Sequence, residues 1–409
     1  MSRVRTGWTL RCISCGTTHT NEPGGFTCSR CGDLLEFRRN RRLTYADLVS
    51  GGDQFGVWRY ARAFPIDEGA PRVTLGEGGT PLVRSVFIGK SRKFRALHLK
   101  NEGQNPTGSF KDRGMTVAVT RALEAGANTL ICASTGNTSA SLAAYAARAG
   151  LRAVVLLPAG RVAPGKLIQA AAHGANLLKV DGDFERAFEI VREVAAADDR
   201  VYLVNSINPY RVEGQKTAAF ELYEQLGREV PDYVVLPVGN AGNISAIWKG
   251  YEELRDWGIS KKLPVMVGVQ ASGAAPIVEA VTERGGRVEA WAEPSTVASA
   301  IRIGNPASWK KAVEAIRKSG GTAISVEDKE IMKARDELAS KEGIFLEPAS
   351  AAPVAALSHL HDLIKSDDVV VCIGTGSGLK DPETVRLDPN AVPQVNDAAS
   401  LRRVLSRKT

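Results

Sequence analysis

The sequence predicts an α/β fold: parallel sheets flanked by helices, in two lobes, with a small cysteine-rich module in front. Three observations predict it. From about residue 94 onward, short apolar runs alternate with amphipathic or Ala-rich segments, the rhythm of strands and crossover helices. The runs are continuously apolar, as in strands covered on both faces, and lack the polar alternation of a half-exposed sheet. The first 45 residues are poor in aliphatics and rich in Cys, Gly and Arg.

Strands are expected at 129–133, 153–157, 176–180, 201–204, 233–237, 265–269 and 369–373. Helices are expected at about 138–149, 164–173, 184–197, 213–226, 244–257, 327–342 and 350–365. These divide the chain into a module over 1–45, a large lobe from 46–110 and 206–409, and a smaller α/β lobe over 111–205. A parallel sheet binds ligands beyond the carboxyl ends of its strands, so the loops after strands are where chemistry is sought. The last 18 residues are polar and are expected to be loosely held.

With 44% hydrophobic residues, the 409-residue chain can bury the cores of two or three domains. The net charge is +8, but residues 1–42 hold eight Arg against three acids, so +5 of it lies there. The remainder is near balance, which argues against an extended nucleic-acid face. The opening MSRVRTGWTL has no continuous apolar core, and the most apolar stretches, about six residues long, fall far short of a membrane span. A cytoplasmic protein is expected.

The module carries Cys12, Cys15, Cys28 and Cys31 as two CxxC pairs separated by twelve residues. Gly16 and Gly32 follow the pairs, where such tight turns need them. Four thiolates make a closed tetrahedral zinc site, structural because no position is left for water. Disulfides would require an oxidising compartment. The nearby run Arg38-Arg39-Asn40-Arg41-Arg42 reads as a solvated basic hinge rather than a nucleic-acid patch. Cys132 and Cys372 sit inside apolar runs and read as buried structural thiols.

Three loops can hold anions. In YVVLPVGNAGNISAIW the glycines at 239 and 242 let the backbone turn and approach a ligand, and the N–H groups of 239–243 meet the positive end of the following helix. In TLICASTGNTSAS, Ser134, Thr135, Asn137 and Thr138 add hydroxyl and amide groups suited to a carboxylate or a phenolic oxygen. The third, GTGSG at 374–378, superficially resembles a dinucleotide turn, but Pro382 follows at once and no βαβ unit completes it. A P-loop-like stretch at 160–166 is set aside: Leu167 stands where magnesium needs Ser or Thr, and Pro164 removes a loop N–H.

NPTGSFKDRGM, at 105–115, reads as a turn followed by a helix to about residue 125, with Ser109 as its N-cap. Lys111 then lies in the first turn, where the helix dipole disfavours a cation. The neutral amine is the form that condenses with an aldehyde. A reactive amine, a phosphate loop and a carboxylate loop thus share one scaffold.

Lys111 within NPTGSFKDRG, together with STGNT, GNAGN and GTGSG, closely resembles the fold-type-II pyridoxal-phosphate (PLP) enzymes. LGEGGTPL (75–82), NPYRVEGQKT (208–217), IRIGNPASW (301–309) and GLKDP (378–382) narrow the resemblance to the threonine synthase branch, over roughly residues 58–385. The resemblance implies conversion of O-phosphohomoserine and water to threonine and phosphate, in a homodimer. It implies that Lys111 holds PLP covalently and then serves as general base. Gly239, Asn240, Ala241, Gly242 and Asn243 would hold the cofactor phosphate, Asn137 its phenolic oxygen and Thr375 its ring nitrogen. Ser134, Thr135 and Thr138 would receive the substrate carboxylate. Asn205, Ser206, Arg211 and Lys166 are candidates for the substrate phosphate. Alternatives left open are a paralogue acting on phosphoserine, of the cysteate synthase kind, and an inactive protein binding nucleic acid through its ribbon.

Overall fold

The computed structural model describes residues 3–20, 22, 26–52, 55–92, 94–158, 164–385, 392 and 394–406; the side chains of 92 and 164–166 lie outside that description. Thirteen strands form three sheets among these residues. The first is an antiparallel ribbon of order β2-β1-β3, from β1 (Trp8–Cys12), β2 (Thr18–His19) and β3 (Leu35–Arg39). The second has six strands in the order β12-β11-β10-β13-β5-β4. It is built from β4 (Leu82–Arg84), β5 (Ala96–Asn101), β10 (Tyr233–Pro237), β11 (Val265–Ala271), β12 (Thr322–Val326) and β13 (Val369–Gly374). It is parallel apart from the edge strand β4. The third is parallel, of order β8-β7-β6-β9, from β6 (Thr129–Ala133), β7 (Arg152–Pro158), β8 (Asn176–Val180) and β9 (Val201–Leu203). Six helices position the site: α1 (Lys111–Glu124), α2 (Asn137–Ala149), α3 (Pro209–Gln215), α4 (Gly242–Asp256), α5 (Trp309–Lys318) and α6 (Pro348–Ala356).

All seven expected strands form; the apolar runs are buried at positions such as Val234–Leu236 and Val370–Ile373, whereas the edge strand β8 is not covered on both faces and leaves Leu178 exposed. The strands not anticipated are those with polar interruptions. β5 reads ALHLKN, and its Lys100 is nevertheless fully buried because Glu221 and the carbonyl of Thr80 receive its amine. The helix expected over 213–226 steps at Lys216 into α3 and Thr217–Gln225; the Lys216 ammonium is drawn inside to Glu213 (2.5 Å) and Glu253. The helix expected over 350–365 ends at Ala356 and gives way to a single tight turn, Leu357–His359. The polar tail contains a helix, Ala398–Leu405, started by an Asp397/Ser400 capping box and carrying no buried side chain.

Ser109 does not cap α1. The residue before the helix is Phe110, in αR conformation with no side-chain cap, while the Ser109 hydroxyl is buried without a partner. The reason is a partner distant in the chain: Ser109 pairs as a bridge with Gly376, and the helix starts only at Lys111, leaving Phe110 in the cap position.

The ribbon does not stand apart in its packing. Phe37 packs at a tilt of 58° against Tyr210, ring centres 4.7 Å apart, and Phe26 meets Tyr202 edge-on at 5.3 Å. Lys249 of α4 donates to the carbonyl of Phe37 at 2.5 Å and pairs with Glu213 of α3. Glu36 pairs with Lys311 of α5, and Glu22 receives both Arg121 (2.7 Å) and the Tyr210 hydroxyl. Within the arginine run, Arg38 pairs with Glu36 at 2.7 Å, and Arg39 lies over Trp8 while donating to the Arg62 carbonyl.

No helix among the described residues is long and apolar enough to cross a membrane.

Candidate active site

Lys111 is the first residue of α1, and the turn before it is held from three sides. Asp112 accepts the Thr107 N–H (2.7 Å), the Thr107 hydroxyl (2.6 Å) and the Ser141 hydroxyl (2.6 Å). Phe110 N–H donates to the Thr375 carbonyl at 3.0 Å, and Lys380 donates to the Thr107 carbonyl at 2.7 Å. From behind, Arg113 forms a bidentate pair with Glu102 (2.6 and 2.7 Å) and reaches Glu221 at 3.0 Å, all fully buried. A charge network of this kind holds only with every partner present, because removing one leaves an uncompensated buried charge. It fixes the backbone from which the Lys111 amine projects.

That amine lies 4.2 Å from the centre of the Phe110 ring. Its pKa is pushed down to about 7, first by burial and then by the positive charge of Arg211, against Glu347, which raises it. An amine of that pKa is both a competent nucleophile and a proton carrier near neutrality. Burial pushes the neighbouring Asp112 carboxyl up to about 6, against the hydrogen bonds from Ser141 and Thr107.

The loop between β10 and α4 forms a cradle. Ala241 sits at φ 64°, ψ 3°, a left-handed conformation uncommon for a residue with a Cβ, and has no side-chain cap. The amides of 239–243 meet no carbonyl or side-chain acceptor among the described residues. A Cβ on Gly239 would lie 3.0 Å from the Ala300 carbonyl. A side chain at 239 would press on the 300–301 backbone, which would have to give by a few tenths of an ångström.

Helix α3 joins amine and cradle. It crosses α1 where glycine meets glycine: a Cβ on Gly214 would fall 1.9 Å from the Arg113 carbonyl oxygen, and one on Gly114 2.7 Å from that of Arg211. Gln215 ends α3 with its amide nitrogen beside Gly114. Arg211, one turn earlier, is 1% exposed; one nitrogen donates to the Val204 carbonyl at 3.1 Å, while Nε and Nη2 are buried without a partner. Burial lowers its pKa to about 10. A buried guanidinium with two unused donors is costly unless an anion completes it.

Ser134, Thr135 and Thr138 surround the N-terminus of α2, half-buried. The Asn137 amide nitrogen donates to both carboxylate oxygens of Glu347, at 3.1 and 3.2 Å. The Thr375 hydroxyl pairs with that of Ser350 at 2.7 Å. Asn205 spends its amide on the N–H and carbonyl of Ala133, tying the ends of β9 and β6 together, and Ser206 follows it half-buried. The Lys166 side chain lies outside the described residues. Sequence reasoning missed Glu347, Ser350 and Gln215. Their only signals are an acid ahead of an Ala-rich apolar helix, FLEPASAAP, and an amide beside the Gly-Gln-Lys step.

The residues present fit pyridoxal phosphate. The cradle offers unpartnered amides to a phosphate, Lys111 offers a near-neutral amine to an aldehyde, and Asn137 Oδ1 and Asn243 Nδ2 are buried polar atoms still lacking partners.

At the ribbon, the sulfurs of Cys12, Cys15, Cys28 and Cys31 converge to within 4.8 Å of one another, with Cys12–Cys31 and Cys15–Cys31 at 3.4 Å and Cys15–Cys28 at 3.6 Å. A tetrahedral zinc with ~2.3 Å bonds places sulfurs about 3.8 Å apart, so the cluster could hold one. Gly16 and Gly32 adopt φ 70° and 76°, as the tight CxxC turns require.

Comparison with known proteins agrees with this geometry. Residues 73–376 match the family described as pyridoxal-phosphate dependent enzyme. The threonine synthase of Methanosarcina acetivorans is 50% identical over 392 residues, 95% of this chain and 96% of that protein. That of Methanocaldococcus jannaschii is 50% identical over 97% of this chain and 98% of its own, and that of Mycobacterium tuberculosis 51% identical over 82% and 91%. Among solved structures, maize serine racemase aligns with TM-score 0.64 at 20% identity, covering 80% of this chain and 91% of that one, which speaks to fold alone.

Proposed function

The chain belongs to the pyridoxal-phosphate dependent enzyme family, and from that premise we infer that it is a threonine synthase, turning O-phosphohomoserine and water into threonine and phosphate by γ-elimination and β-hydration. The observation that carries the substrate assignment is Arg211, whose two unused, buried donors call for an anion in addition to the one in the cradle. A deaminase acting on an unphosphorylated amino acid has no need of it.

Bound pyridoxal phosphate supplies an electron sink for the pair left on carbon when a proton is removed. Gly239, Asn240, Ala241, Gly242 and Asn243 hold its phosphate at the positive end of α4. Asn137 faces its phenolic oxygen and Thr375 its ring nitrogen; a neutral hydroxyl there does not enforce a charged ring, so the sink is mild. Ser134, Thr135 and Thr138 orient the substrate carboxylate. Arg211, with Asn205, Ser206 and Lys166, takes the substrate phosphate through the planar fork of its guanidinium. Lys111 would take protons from Cα and Cβ and return them to Cα and Cγ, while phosphate departs from Cγ, the hydroxyl of water adds at Cβ and the remaining water proton goes to the phosphate.

The lobe over 111–205 closes on the substrate, keeping water out until the last step. Limited proteolysis and small-angle scattering are expected to change when a non-reactive phosphonate analogue is added; identical profiles would count against closure. The protein acts in the cytoplasm as a homodimer and does not bind nucleic acid, so gel shifts at physiological salt should show no retardation.

Two measurements test the reading. Phosphate release should be at least ~100-fold more efficient from O-phosphohomoserine than from O-phosphoserine, a gap that one lost transition-state contact can open. The reverse preference would assign the chain to the phosphoserine-using paralogues. Metal analysis should find one zinc per chain, and both chelation and Cys28→Ser should lower the melting temperature by several degrees. Because the ribbon packs against α3 and α4, activity should fall with it.

A further inference from the structure

We propose that Glu347 is a positioning residue for the reaction, fixing the Asn137 amide and setting the local charge against which Lys111 exchanges protons. The proposal rests on the reading of Lys111 and Asn137 as cofactor residues.

Glu347 is fully buried and precedes α6, yet its carboxylate does not cap that helix. It turns away from its own lobe's helix to straddle the amide nitrogen of Asn137, the first residue of α2 beyond the four-stranded sheet. The contact therefore joins the two sheets' helices across the site. Room for it is built in. A Cβ on Gly376 would stand 2.5 Å from Glu347 Oε1 and 2.8 Å from its carboxyl carbon, so any other residue at 376 would expel the carboxylate. This accounts for the middle glycine of the GTGSG loop, which no phosphate contact explains.

The surrounding bonds lock the arrangement. Glu347 N–H donates to the Gly376 carbonyl at 3.1 Å, Leu346 bridges Ser377, and one turn on Ser350 accepts the Gly376 N–H at 2.7 Å while pairing with Thr375. A single segment, 346–350, thus aligns Thr375 and Asn137 together. An amide whose nitrogen is held by a carboxylate can no longer turn over, so the face it presents to the cofactor ring is determined.

The charge has a second consequence. The turn that carries Lys111 and the Glu347 carboxylate are held by one loop: Ser109 bridges Gly376, Phe110 N–H donates to the Thr375 carbonyl, and the carboxylate packs against Gly376; burial and Arg211 favour the neutral amine there, and Glu347 opposes them. Without that carboxylate the amine would hold its proton less well and would be a poorer base at Cα.

The test uses Glu347→Gln and Glu347→Asp beside wild type and Lys111→Ala. In apoenzyme, the pH dependence of Lys111 modification by an amine reagent, read by peptide mass spectrometry, reports the amine itself. In Glu347→Gln the midpoint is expected to fall by on the order of one unit, and the matching limb of the kcat/KM profile of holoenzyme to move the same way. Glu347→Asp, which keeps the charge one methylene further back, should recover the midpoint but not full kcat. Unmoved midpoints in Glu347→Gln, with activity lost only in proportion to melting temperature, would reduce Glu347 to a structural residue and overturn the proposal. If wild type shows no cofactor absorbance that Lys111→Ala abolishes, the reading beneath it fails instead, and the apoenzyme midpoint still decides the charge effect.

Discussion

Lys111→Ala is expected to give a folded protein that lacks the visible band of lysine-bound cofactor near about 410 nm and has lost at least ~10⁴-fold in kcat/KM. Two functions disappear together: the covalent hold on the aldehyde and the proton carrier at Cα and Cβ. The fold should survive, because the amine makes no hydrogen bond among the described residues and its close neighbour is the Phe110 ring at 4.2 Å. Stability should lose a pH dependence instead. The amine titrates near 7 in the folded apoenzyme, against 10.5 for a freely solvated lysine. Between those values the unfolded chain binds the proton that the folded chain refuses, so wild-type apoenzyme stability rises with pH across that window. Below pH 7 the folded protein carries the full cost of charging a buried amine, on the order of a few kcal/mol. Denaturant titrations from about pH 6.5 to about pH 10 should show the rise in wild type and flatten it in Lys111→Ala. A variant that keeps the band, or a wild type whose stability falls over the window, would refute the assignment of Lys111.

Much of this site is legible in the sequence because its parts are local. The cradle needs only a strand, a Gly/Asn turn and a helix start, and the spacing of Gly239 and Gly242 between YVVLP and ISAIW shows all three. The CxxC pairs are equally local. What escaped are contacts between segments far apart in the chain. Glu347 meets Asn137 across 210 residues, and α3 crosses α1 where Gly214 meets Gly114; neither leaves a pattern of period or spacing. The buried ions were invisible for a related reason. Lys100, Glu221, Lys216 and Lys249 are residue types that rarely lie inside unless paired, and their pairing across distant segments explains their burial. The ribbon was set apart by composition, but its edge strand carries Phe37 and Glu36, which reach α3 and α5. Ser109 shows the opposite error: its residue type suits a cap, while it pairs with the distant Gly376 and the helix starts only at Lys111.

Arg211→Met should move stability and catalysis in opposite directions. The guanidinium is buried, gives one nitrogen to the Val204 carbonyl and holds two others unpaired, so the unliganded protein bears its desolvation without return. Replacing it by an apolar side chain of similar length removes that cost, and the variant should be more stable by roughly 1–4 kcal/mol. The substrate loses its phosphate partner, so kcat/KM for O-phosphohomoserine should fall on the order of 10²–10³-fold. Three further readouts separate this from general damage. Unphosphorylated homoserine should still perturb the cofactor spectrum with unchanged affinity, because Ser134, Thr135 and Thr138 are untouched. Inorganic phosphate should raise the melting temperature of wild-type holoenzyme, whose cradle is already filled, and leave the variant unmoved. The Lys111 midpoint should rise, since Arg211 is one of the two influences that depress it. This displacement is opposite in sign to that of Glu347→Gln, so the two charges bracket the amine from either side and the double variant should return its midpoint toward wild type. A variant that binds homoserine and phosphohomoserine equally poorly would place Arg211 in the carboxylate site; one that loses stability would mean that the guanidinium is satisfied within the protein and is not waiting for a ligand.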